Sequence, residues 1–351
     1  MKIYIVLFFC IIGCVSCTVV TETTLISKEN SNGYYYLPIL VNGQKLTFLL
    51  DTGAQYTVID YAVAKKLGIV PIDSSFHTIH TITYSHQDSV YWGFADLQIG
   101  DIKIKNKITL DKYKSSIWRD VADYKDFDGI LGVDIIQEFN WLFDLKNKMV
   151  CLSNKVIDNP LILEKPALSL DIVENETGVT YVNLLLNNTV KQQFLFDTGH
   201  DNGIQIGDYK LDGAFCFSDT LFNILAKRFP NNLTIKVTDT SSVLLMEKLQ
   251  VNEMKFLYIS AAYNSRLLHP NAITAQLLHQ FQFMYYDKIN KKINFYHPQP
   301  DSNVKSREEI QLLQMKVSDV LDSKGGETTS SWNDIFTKHD SVSVVKPVKK
   351  E

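Results

Sequence analysis

The tripeptide Asp-Thr-Gly occurs twice in this chain, and each copy follows an apolar run. The first copy is Asp51-Thr52-Gly53 after Phe-Leu-Leu, and the second is Asp197-Thr198-Gly199 after Phe-Leu-Phe. An acid at the end of a buried strand adds little stability, because an unpaired buried carboxylate costs free energy. Two such acids facing each other would share one proton, since adjacent carboxylates cannot both ionise easily. The repeat therefore predicts a paired-carboxylate site assembled from two halves of one chain.

The sequence around the two copies is repeated as well, and the repeated blocks keep the same order. The matched blocks are residues 41–50 with 187–196, residues 97–104 with 249–256, and residues 143–148 with 286–291. The first two blocks alternate in hydrophobicity around an Asn- or Gly-containing turn, which is typical of β-hairpins. Three blocks in one order indicate an internal duplication of a mostly β unit.

One short helix is expected in each half, at residues 60–67 before Gly68 and at residues 219–229 before Pro230. A further amphipathic helix is expected at residues 307–321, beyond the repeat. The predicted organisation is a signal peptide at residues 1–17, a polar tether at 18–30, an N-terminal lobe at 31–155, a C-terminal lobe at 156–300, and a helical or disordered tail at 301–351.

The N-terminus has the pattern of an export signal. Residues 3–13 are apolar, a run too short to span a bilayer as a helix but of the length of a signal-peptide core. Cys14 and Cys17 each follow a small residue, which resembles the lipobox of bacterial lipoproteins. We expect an exported cell-envelope protein that a lipid on Cys17 or Cys14 anchors to a membrane. A plain secreted protein is the alternative.

Composition narrows the range of functions. Hydrophobic residues make up 45% and charged residues 21% of the 351 residues, which is a globular composition. The net charge of −4 predicts no nucleic-acid partner. The body of the chain contains only Cys151 and Cys216, and no Cys/His cluster suggests a metal site.

Three patterns together resemble a known family: Leu-Leu-Asp-Thr-Gly-Ala with Thr-Val-Ile at residues 49–54 and 57–59, Gly-Ile-Leu-Gly-Val-Asp at 129–134, and Phe-Asp-Thr-Gly at 196–199. They are similar to motifs of the retropepsin-like and pepsin-like aspartic proteases, and the resemblance covers residues 35–297. It implies a mostly β fold of two pseudo-symmetric closed β-barrel lobes with a cleft between them.

The resemblance also implies roles for single residues. Asp51 and Asp197 would be the catalytic pair that activates a water to hydrolyse peptide bonds, with no cofactor or metal. The threonine hydroxyls would lock the two loops together, and the glycines would let the backbone turn. The expected site-supporting residues are Thr52, Gly53, Ala54, Thr198, Gly199, His200 and Gly132. The expected substrate is an extended polypeptide, and the expected enzyme is a monomer.

The resemblance further implies a hairpin flap over the substrate. We expect this flap at residues 78–92, with its turn at residues 85–88. The aromatic residues expected over the cleft are Tyr84, Tyr91 and Trp92.

The second half departs from the family pattern at three places. His200 stands where the first half has Ala54, Gly203 is matched to Thr57, and Ile-Thr-Ala at 273–275 is matched to Ile-Leu-Gly at 130–132. Two alternatives to an aspartic endopeptidase therefore stay open. One is a non-catalytic peptide-binding envelope lipoprotein on the same fold. The other is a homodimeric enzyme in which Asp51 pairs with its own copy.

Overall fold

The structure is a computed structural model of the chain, and it describes residues 22–26, 28–29, 34–80, 85–111, 127–173, 175, 178–200, 204–206, 209–211, 213–228, 232–238, 241–264, 271–299 and 344–345. Within these residues the fold is mostly β, as the sequence predicts. The strands form an eight-stranded sheet, a fourteen-stranded sheet and a separate two-stranded hairpin.

The first half contains the whole eight-stranded sheet and three strands of the fourteen-stranded sheet. Its strands are β1 (Glu22–Ile26), β2 (Lys28–Glu29), β3 (Tyr35–Val41), β4 (Gln44–Leu50), β5 (Val58–Asp60), β6 (Asp73–His80), β7 (Ser85–Ile99), β8 (Ile102–Asp111), β9 (Gly129–Leu131), β10 (Asn140–Asp144) and β11 (Met149–Ser153). Its helices are α1 (Tyr61–Lys66) and the single-turn α2 (Val133–Ile136).

The second half also consists mainly of short strands with a few helices. Its strands are β12 (Leu168–Val173), β13 (Tyr181–Leu186), β14 (Val190–Asp197), β15 (Ile204–Ile206), β16 (Tyr209–Leu211), β17 (Phe215–Phe217), β18 (Asn232–Thr238), β19 (Ser241–Val251), β20 (Met254–Asn264), β21 (Ala272–Thr274), β22 (Phe281–Asp287), β23 (Lys292–Pro298) and β24 (Val344–Val345). Its helices are α3 (Asp219–Arg228) and two 3₁₀ helices, Pro160–Leu163 and Ala275–Gln280.

Strand order confirms the duplication. The first half pairs its strands in the order β3-β4-β9-β5-β8-β7-β6, and the second half pairs the matching strands in the order β13-β14-β21-β17-β20-β19-β18. An additional pairing joins β3 to β7, and the corresponding pairing joins β13 to β19. The two halves thus repeat one topology, in which the strand before each Asp-Thr-Gly lies parallel to a short later strand.

The repeated turns have the same backbone conformation in both halves. Asn42 and Gly43 have φ values of 49° and 84°, and Asn187 and Asn188 have values of 48° and 56°. Positive φ at both central residues suits a two-residue hairpin, which explains why Asn and Gly occur there. The second predicted hairpin places Gly100 and Asn252 at φ 57° and 52°.

A hairpin from each half joins the two halves in one sheet. β10 pairs with β22, and Trp141 lies opposite Tyr286. The connecting turns are alike, because Asp144 accepts a hydrogen bond from the Asn147 N–H at 2.9 Å and Asp287 accepts one from the Asn290 N–H at 2.9 Å. This shared sheet fixes the two halves relative to each other.

Both predicted helices of the repeat are present. The Asp60 carboxylate caps α1 by accepting from the N–H groups of Ala62 and Val63, and Gly68 follows the helix at φ 68°. In the part of the chain that the structure describes, α3 is the longest helix, and no helix has the length and apolarity needed to cross a membrane.

The structure describes only parts of the two chain ends. The predicted tether at 18–30 is partly a strand, because Thr23 is buried and accepts a hydrogen bond from the Asp101 N–H while β1 pairs with β11. The signal peptide, with Cys14 and Cys17, lies outside the described residues. So does the tail, including the helix expected at 307–321, apart from β24, which pairs with β18.

The predicted flap turn at residues 85–88 is wrong. β6 and β7 form the expected hairpin, but Ser85 pairs with His80 and Asp88 pairs with His77. The connection therefore falls at residues 81–84, outside the described part of the chain. Polar residues favour turns. The hydrogen bonds between strands, however, join main-chain N–H and C=O groups, so a polar segment can still pair as a strand.

Candidate active site

Two buried strands carry the Asp-Thr-Gly loops. β4 lies parallel to β9 with Leu50 opposite Leu131, and β14 lies parallel to β21 with Phe196 opposite Ile273. These four side chains are buried, so the strand ends are fixed by packing. Asp51 stays attached to this frame because its N–H donates to the Leu131 carbonyl at 3.1 Å.

The two aspartates meet at the junction of the halves. The two carboxyl groups lie close together, and each affects the pKa of the other. The glycine that follows each aspartate makes this approach feasible. A Cβ on Gly53 would lie 2.5 Å from the Asp197 Cγ, and a Cβ on Gly199 would lie 2.2 Å from the Asp51 Cγ. Each carboxyl therefore occupies the space that a side chain on the opposite glycine would need.

The two threonines hold the loops together by reciprocal hydrogen bonds. The Thr52 N–H donates to Thr198 Oγ1 at 3.1 Å, and the Thr198 N–H donates to Thr52 Oγ1 at 3.1 Å. The Thr52 hydroxyl donates to the Phe196 carbonyl at 2.5 Å, and the Thr198 hydroxyl donates to the Leu50 carbonyl at 2.9 Å. Both threonines are buried, so each hydroxyl replaces its water contacts with bonds to the opposite half.

Main-chain N–H groups orient each carboxyl within its own loop. Asp51 Oδ1 accepts from Gly53 at 2.8 Å and from Ala54 at 3.1 Å. Asp197 Oδ1 accepts from Gly199 at 3.0 Å, while the His200 N–H donates to the Asp197 main-chain carbonyl at 3.4 Å and lowers the pKa of the carboxyl. The turn after each strand thus places two main-chain N–H groups beside one acid.

Burial disfavours the ionised form of both carboxyls. It raises the pKa of Asp51 above the ordinary value, although hydrogen bonds from Gly53, Asp197 and Ala54 partly lower that pKa. Burial, followed by the charge of Asp51, raises the pKa of Asp197 well above the ordinary value. Sharing one proton spares the pair a second buried charge, so the two carboxyls titrate as a unit.

We expect Asp197→Asn to stabilise the protein at pH 7. The pKa of Asp197 is raised in the folded state, so its stabilising contribution is full below the unfolded-state value of about 4 and is lost as pH rises through the folded-state value. Asparagine avoids this loss, and we expect a gain of about 1–2 kcal/mol at pH 7 and none at pH 3. Urea unfolding at both pH values measures it. The exposed Asp171→Asn is the control, and equal effects of the two substitutions would contradict the prediction.

A second set of bonds supports the Asp51 loop. The Asp134 carboxylate accepts from the Thr57 N–H at 2.8 Å and from the Thr57 hydroxyl at 2.7 Å. Thr57 Oγ1 in turn accepts from the Gly132 N–H at 3.1 Å. A Cβ on Gly132 would lie 2.5 Å from the Tyr56 carbonyl, so Gly132 lets the two loops pass closely. The sequence indicated Gly132 but did not indicate that Thr57 links it to Asp134.

Strand register corrects two sequence matches in the second half. Val58 pairs with Ile130, and Cys216 pairs with Ala272 in the corresponding position. Thr57 therefore corresponds to Phe215, and the proposed match to Gly203 is wrong. The inserted residues before β17 shifted that alignment.

The late glycine element is displaced by one residue from the sequence match. Leu131 corresponds to Ile273, since these residues pair with Leu50 and Phe196. Gly132 therefore corresponds to Thr274 rather than to Ala275. The Thr274 hydroxyl donates to the Gly213 carbonyl at 2.7 Å, so this loop is held by a different bond from that of the first half.

His200 takes the place of Ala54 without disturbing the main chain. The Val133 N–H donates to the Ala54 carbonyl at 2.9 Å, and the Ala275 N–H donates to the His200 carbonyl at 3.1 Å. The His200 imidazole Nε2 lies 3.4 Å from Cys216 Sγ, on β17. The His200 side chain therefore contacts the neighbouring strand β17.

The expected flap aromatics have different surroundings. Tyr84 lies outside the described residues. The Tyr91 ring lies 5.1 Å from that of Tyr61 in α1, and the Trp92 ring lies 5.1 Å from that of Tyr56, edge to face. Tyr56 belongs to the Asp51 loop, so Trp92 is connected to the site through a residue that the sequence analysis did not indicate.

Tyr181 is a second aromatic residue near the acids that sequence reasoning missed. Burial, and then the charge of Asp197, raise the pKa of its hydroxyl. Its position on β13 opposite Leu195 corresponds to that of Tyr36 opposite Leu49 in the first half. Among the residues that the structure describes, no group of three or more His, Cys, Asp or Glu side chains is arranged to hold a metal ion.

Comparison with known proteins adds a family relationship for part of the chain. Residues 37–135 match the family model described as aspartyl protease. The UBA domain-containing protein Mud1 of Schizosaccharomyces pombe is 24% identical over 123 residues, which are 35% of this chain and 34% of that protein. The match thus spans about a third of that relative.

A solved structure also aligns with the chain. The crystal structure of an aspartic proteinase from Irpex lacteus is 12% identical, has a TM-score of 0.49, and is covered over 100% of its length by 82% of this chain. The second half-site, with Asp197, lies outside the family match. The segment that carries Asp51 and Gly132, residues 37–135, matches the aspartyl protease family.

Proposed function

We propose that the chain is an aspartic endopeptidase in which Asp51 and Asp197 act as the catalytic pair. The observation that supports this most directly is the close approach of the two carboxyls, each of which follows a buried strand and lies against the glycine of the opposite loop. Two acids placed together away from water lower the stability of the fold. A chemical role explains such a pair better than a structural one. The aspartyl protease match of residues 37–135 supports the same class of activity.

The chemistry follows from one proton shared by two acids. The charged carboxyl takes a proton from a water, and that water attacks the peptide carbonyl carbon. The protonated carboxyl donates its proton to the carbonyl oxygen as the tetrahedral intermediate forms. The carboxyl that took the proton from water then passes it to the leaving nitrogen as the C–N bond breaks, and a hydroxyl of the intermediate returns a proton to the other carboxyl. The pair needs no cofactor for this reaction.

The proposed substrate is an extended polypeptide bound between the two halves. We infer that each half closes as a barrel, which the β3–β7 and β13–β19 pairings support. The β6–β7 hairpin would cover the substrate, with Trp92 and Tyr56 beside the Asp51 loop. Main-chain hydrogen bonds would then hold the peptide in extended form.

A single chain is proposed as the active unit. The contact between Asp51 and Asp197 occurs within one chain, and this argues against a homodimer that pairs Asp51 with its copy. On the sequence pattern alone we further propose that the protein is exported and lipid-anchored at Cys17 or Cys14 in the cell envelope. A secreted form without the lipid is the alternative.

Incubation with an unbiased peptide pool tests the proposed activity. The purified full chain is incubated with the pool from pH 3 to pH 8, and new peptide termini are identified by mass spectrometry. We expect cleavage that is absent from the Asp51→Asn, Asp197→Asn double variant. If the wild-type protein releases no more new termini than the double variant at any pH, the peptidase proposal is wrong and the peptide-binding alternative is favoured.

A further inference from the structure

The second half-site contains a Cys–His pair that the first half-site lacks. His200 Nε2 lies 3.4 Å from Cys216 Sγ. By register these two residues take the places of Ala54 and Val58. Two apolar residues of the first half are therefore replaced by two side chains that can form a hydrogen bond with each other. The thiol donates to a bare Nε2, or it accepts from Nε2–H in the other tautomer.

Cys216 is held rigidly. It is fully buried in β17, between β20 and β21. Its neighbours in the packing include Leu195, which precedes Asp197 by two residues on β14. The thiol is therefore a fixed point next to the strand that carries the second acid.

His200 connects this fixed point to the acid. Its N–H donates to the Asp197 main-chain carbonyl at 3.4 Å and lowers the pKa of the Asp197 carboxyl beside it, and its own carbonyl accepts from the Ala275 N–H at 3.1 Å. The imidazole and the N–H beside the acid both belong to His200. A displacement of the imidazole would therefore also affect the position of this N–H. The direction of the Asp197 carboxyl thus depends on where the His200 side chain is held.

The second half needs such an anchor because it lacks the one used in the first half. There the Asp51 loop is pinned by Thr57 and Asp134, at 2.7 Å between hydroxyl and carboxylate. The corresponding residues in the second half are Phe215 and Gln276, so this hydroxyl–carboxylate bond is not available. The loop is also longer, since residues 198–214 separate Asp197 from β17 while residues 52–57 separate Asp51 from β5.

We propose that Cys216 is a positioning residue that holds the His200 N–H beside the Asp197 carboxyl through its contact with the imidazole. The kinetic consequence of this inference rests on the proposed peptidase function. Among the described residues, the ionisable groups at this junction include Asp197 and His200 in the same loop, Asp51 from the opposite loop, Tyr181 from β13 and the Cys216 thiol. The His200 N–H lowers the pKa of Asp197, so loosening it raises that pKa.

Two substitutions at Cys216 separate the hydrogen bond from packing. Cys216→Val installs the residue found at the matching position of the first half and removes the bond. Cys216→Ser keeps the bond and reduces the apolar contact. We expect Cys216→Val to lower kcat about 5- to 20-fold with KM within about twofold, and to move the alkaline limb of the pH profile upward by about half a unit. Cys216→Ser should stay within about threefold of the wild type.

Carbon-13 NMR titration of the aspartate carboxyls gives a readout that does not depend on turnover. The Asp197→Asn variant identifies the signal, and Cys151→Val on β11 serves as the matched cysteine control. We expect the Asp197 titration to move to higher pH in Cys216→Val alone. Unchanged titration in Cys216→Val, or an equal shift in both variants at Cys216, would overturn the proposal. If the wild type cleaves no peptide, the peptidase function fails, and this titration still decides the role of Cys216.

Discussion

Replacing either Asp51 or Asp197 with asparagine should lower the rate of peptide cleavage at least about a thousandfold. An amide can neither take a proton from water nor donate the shared proton, so each replacement removes half of the chemistry. The effects should not add, because the two carboxyls lie together and act as one unit. The double variant should therefore be about as inactive as either single variant.

The rates of the three variants are measured on a peptide that the wild type cleaves, with Asp171→Asn as the surface control. Stability separates loss of chemistry from loss of fold, since Asp197→Asn should be at least as stable as the wild type at pH 7. Loss of activity in Asp51→Asn alone would contradict the single-chain pair. That outcome would instead favour a dimer in which two copies of Asp51 meet.

Gly199→Ala should destabilise the protein by about 2–3 kcal/mol and abolish cleavage. The added Cβ would lie 2.2 Å from the Asp51 Cγ, which is too short for two carbon atoms that are not bonded to each other. The Asp51 carboxyl has little room to retreat, because N–H groups of Gly53 and Ala54 hold it in place. The backbone at Gly199 lies outside the left-handed region, so the expected effect is steric and does not come from an unfavourable φ.

A double-mutant cycle isolates this clash. Asp51→Ala removes the three carboxyl atoms that the new Cβ would meet, so Gly199→Ala should cost much less stability in that background. Urea unfolding of the wild type, the two single variants and the double variant gives the coupling free energy. If Gly199→Ala costs the same with and without the Asp51 carboxyl, the two loops are not in the close contact described above.

Local structure could be predicted wherever a short sequence has its own physical reason to adopt one conformation. The hairpin turns at Asn42-Gly43 and Asn187-Asn188 have positive φ at both central residues, and Asn and Gly tolerate this. The N-terminus of α1 follows from Asp60, whose side chain accepts from the first free N–H groups of the helix. These interactions span only a few residues, so the sequence pattern reveals them directly.

Prediction failed where the outcome depended on partners distant in the chain. Thr57 was matched to Gly203 because an insertion before β17 cannot be placed from sequence alone, whereas strand pairing assigns Phe215. The segment Glu22–Ile26 was expected to be a tether because it is polar, but β11 offers it a pairing edge. The flap turn was misplaced for the same reason, since β6 and β7 pair through their backbones.

The sequence by itself determined that the chain is a duplicated β protein with an acid at the end of one strand in each half. Repeated turns, alternation and the Asp-Thr-Gly triplets are local patterns, and local chemistry is sufficient to interpret them. Only the tertiary structure decided that each acid lies against the glycine of the opposite loop and that His200 contacts Cys216. Residues 146 positions apart, Thr52 and Thr198, hold the acids together, and packing of the two halves alone brings such residues into contact.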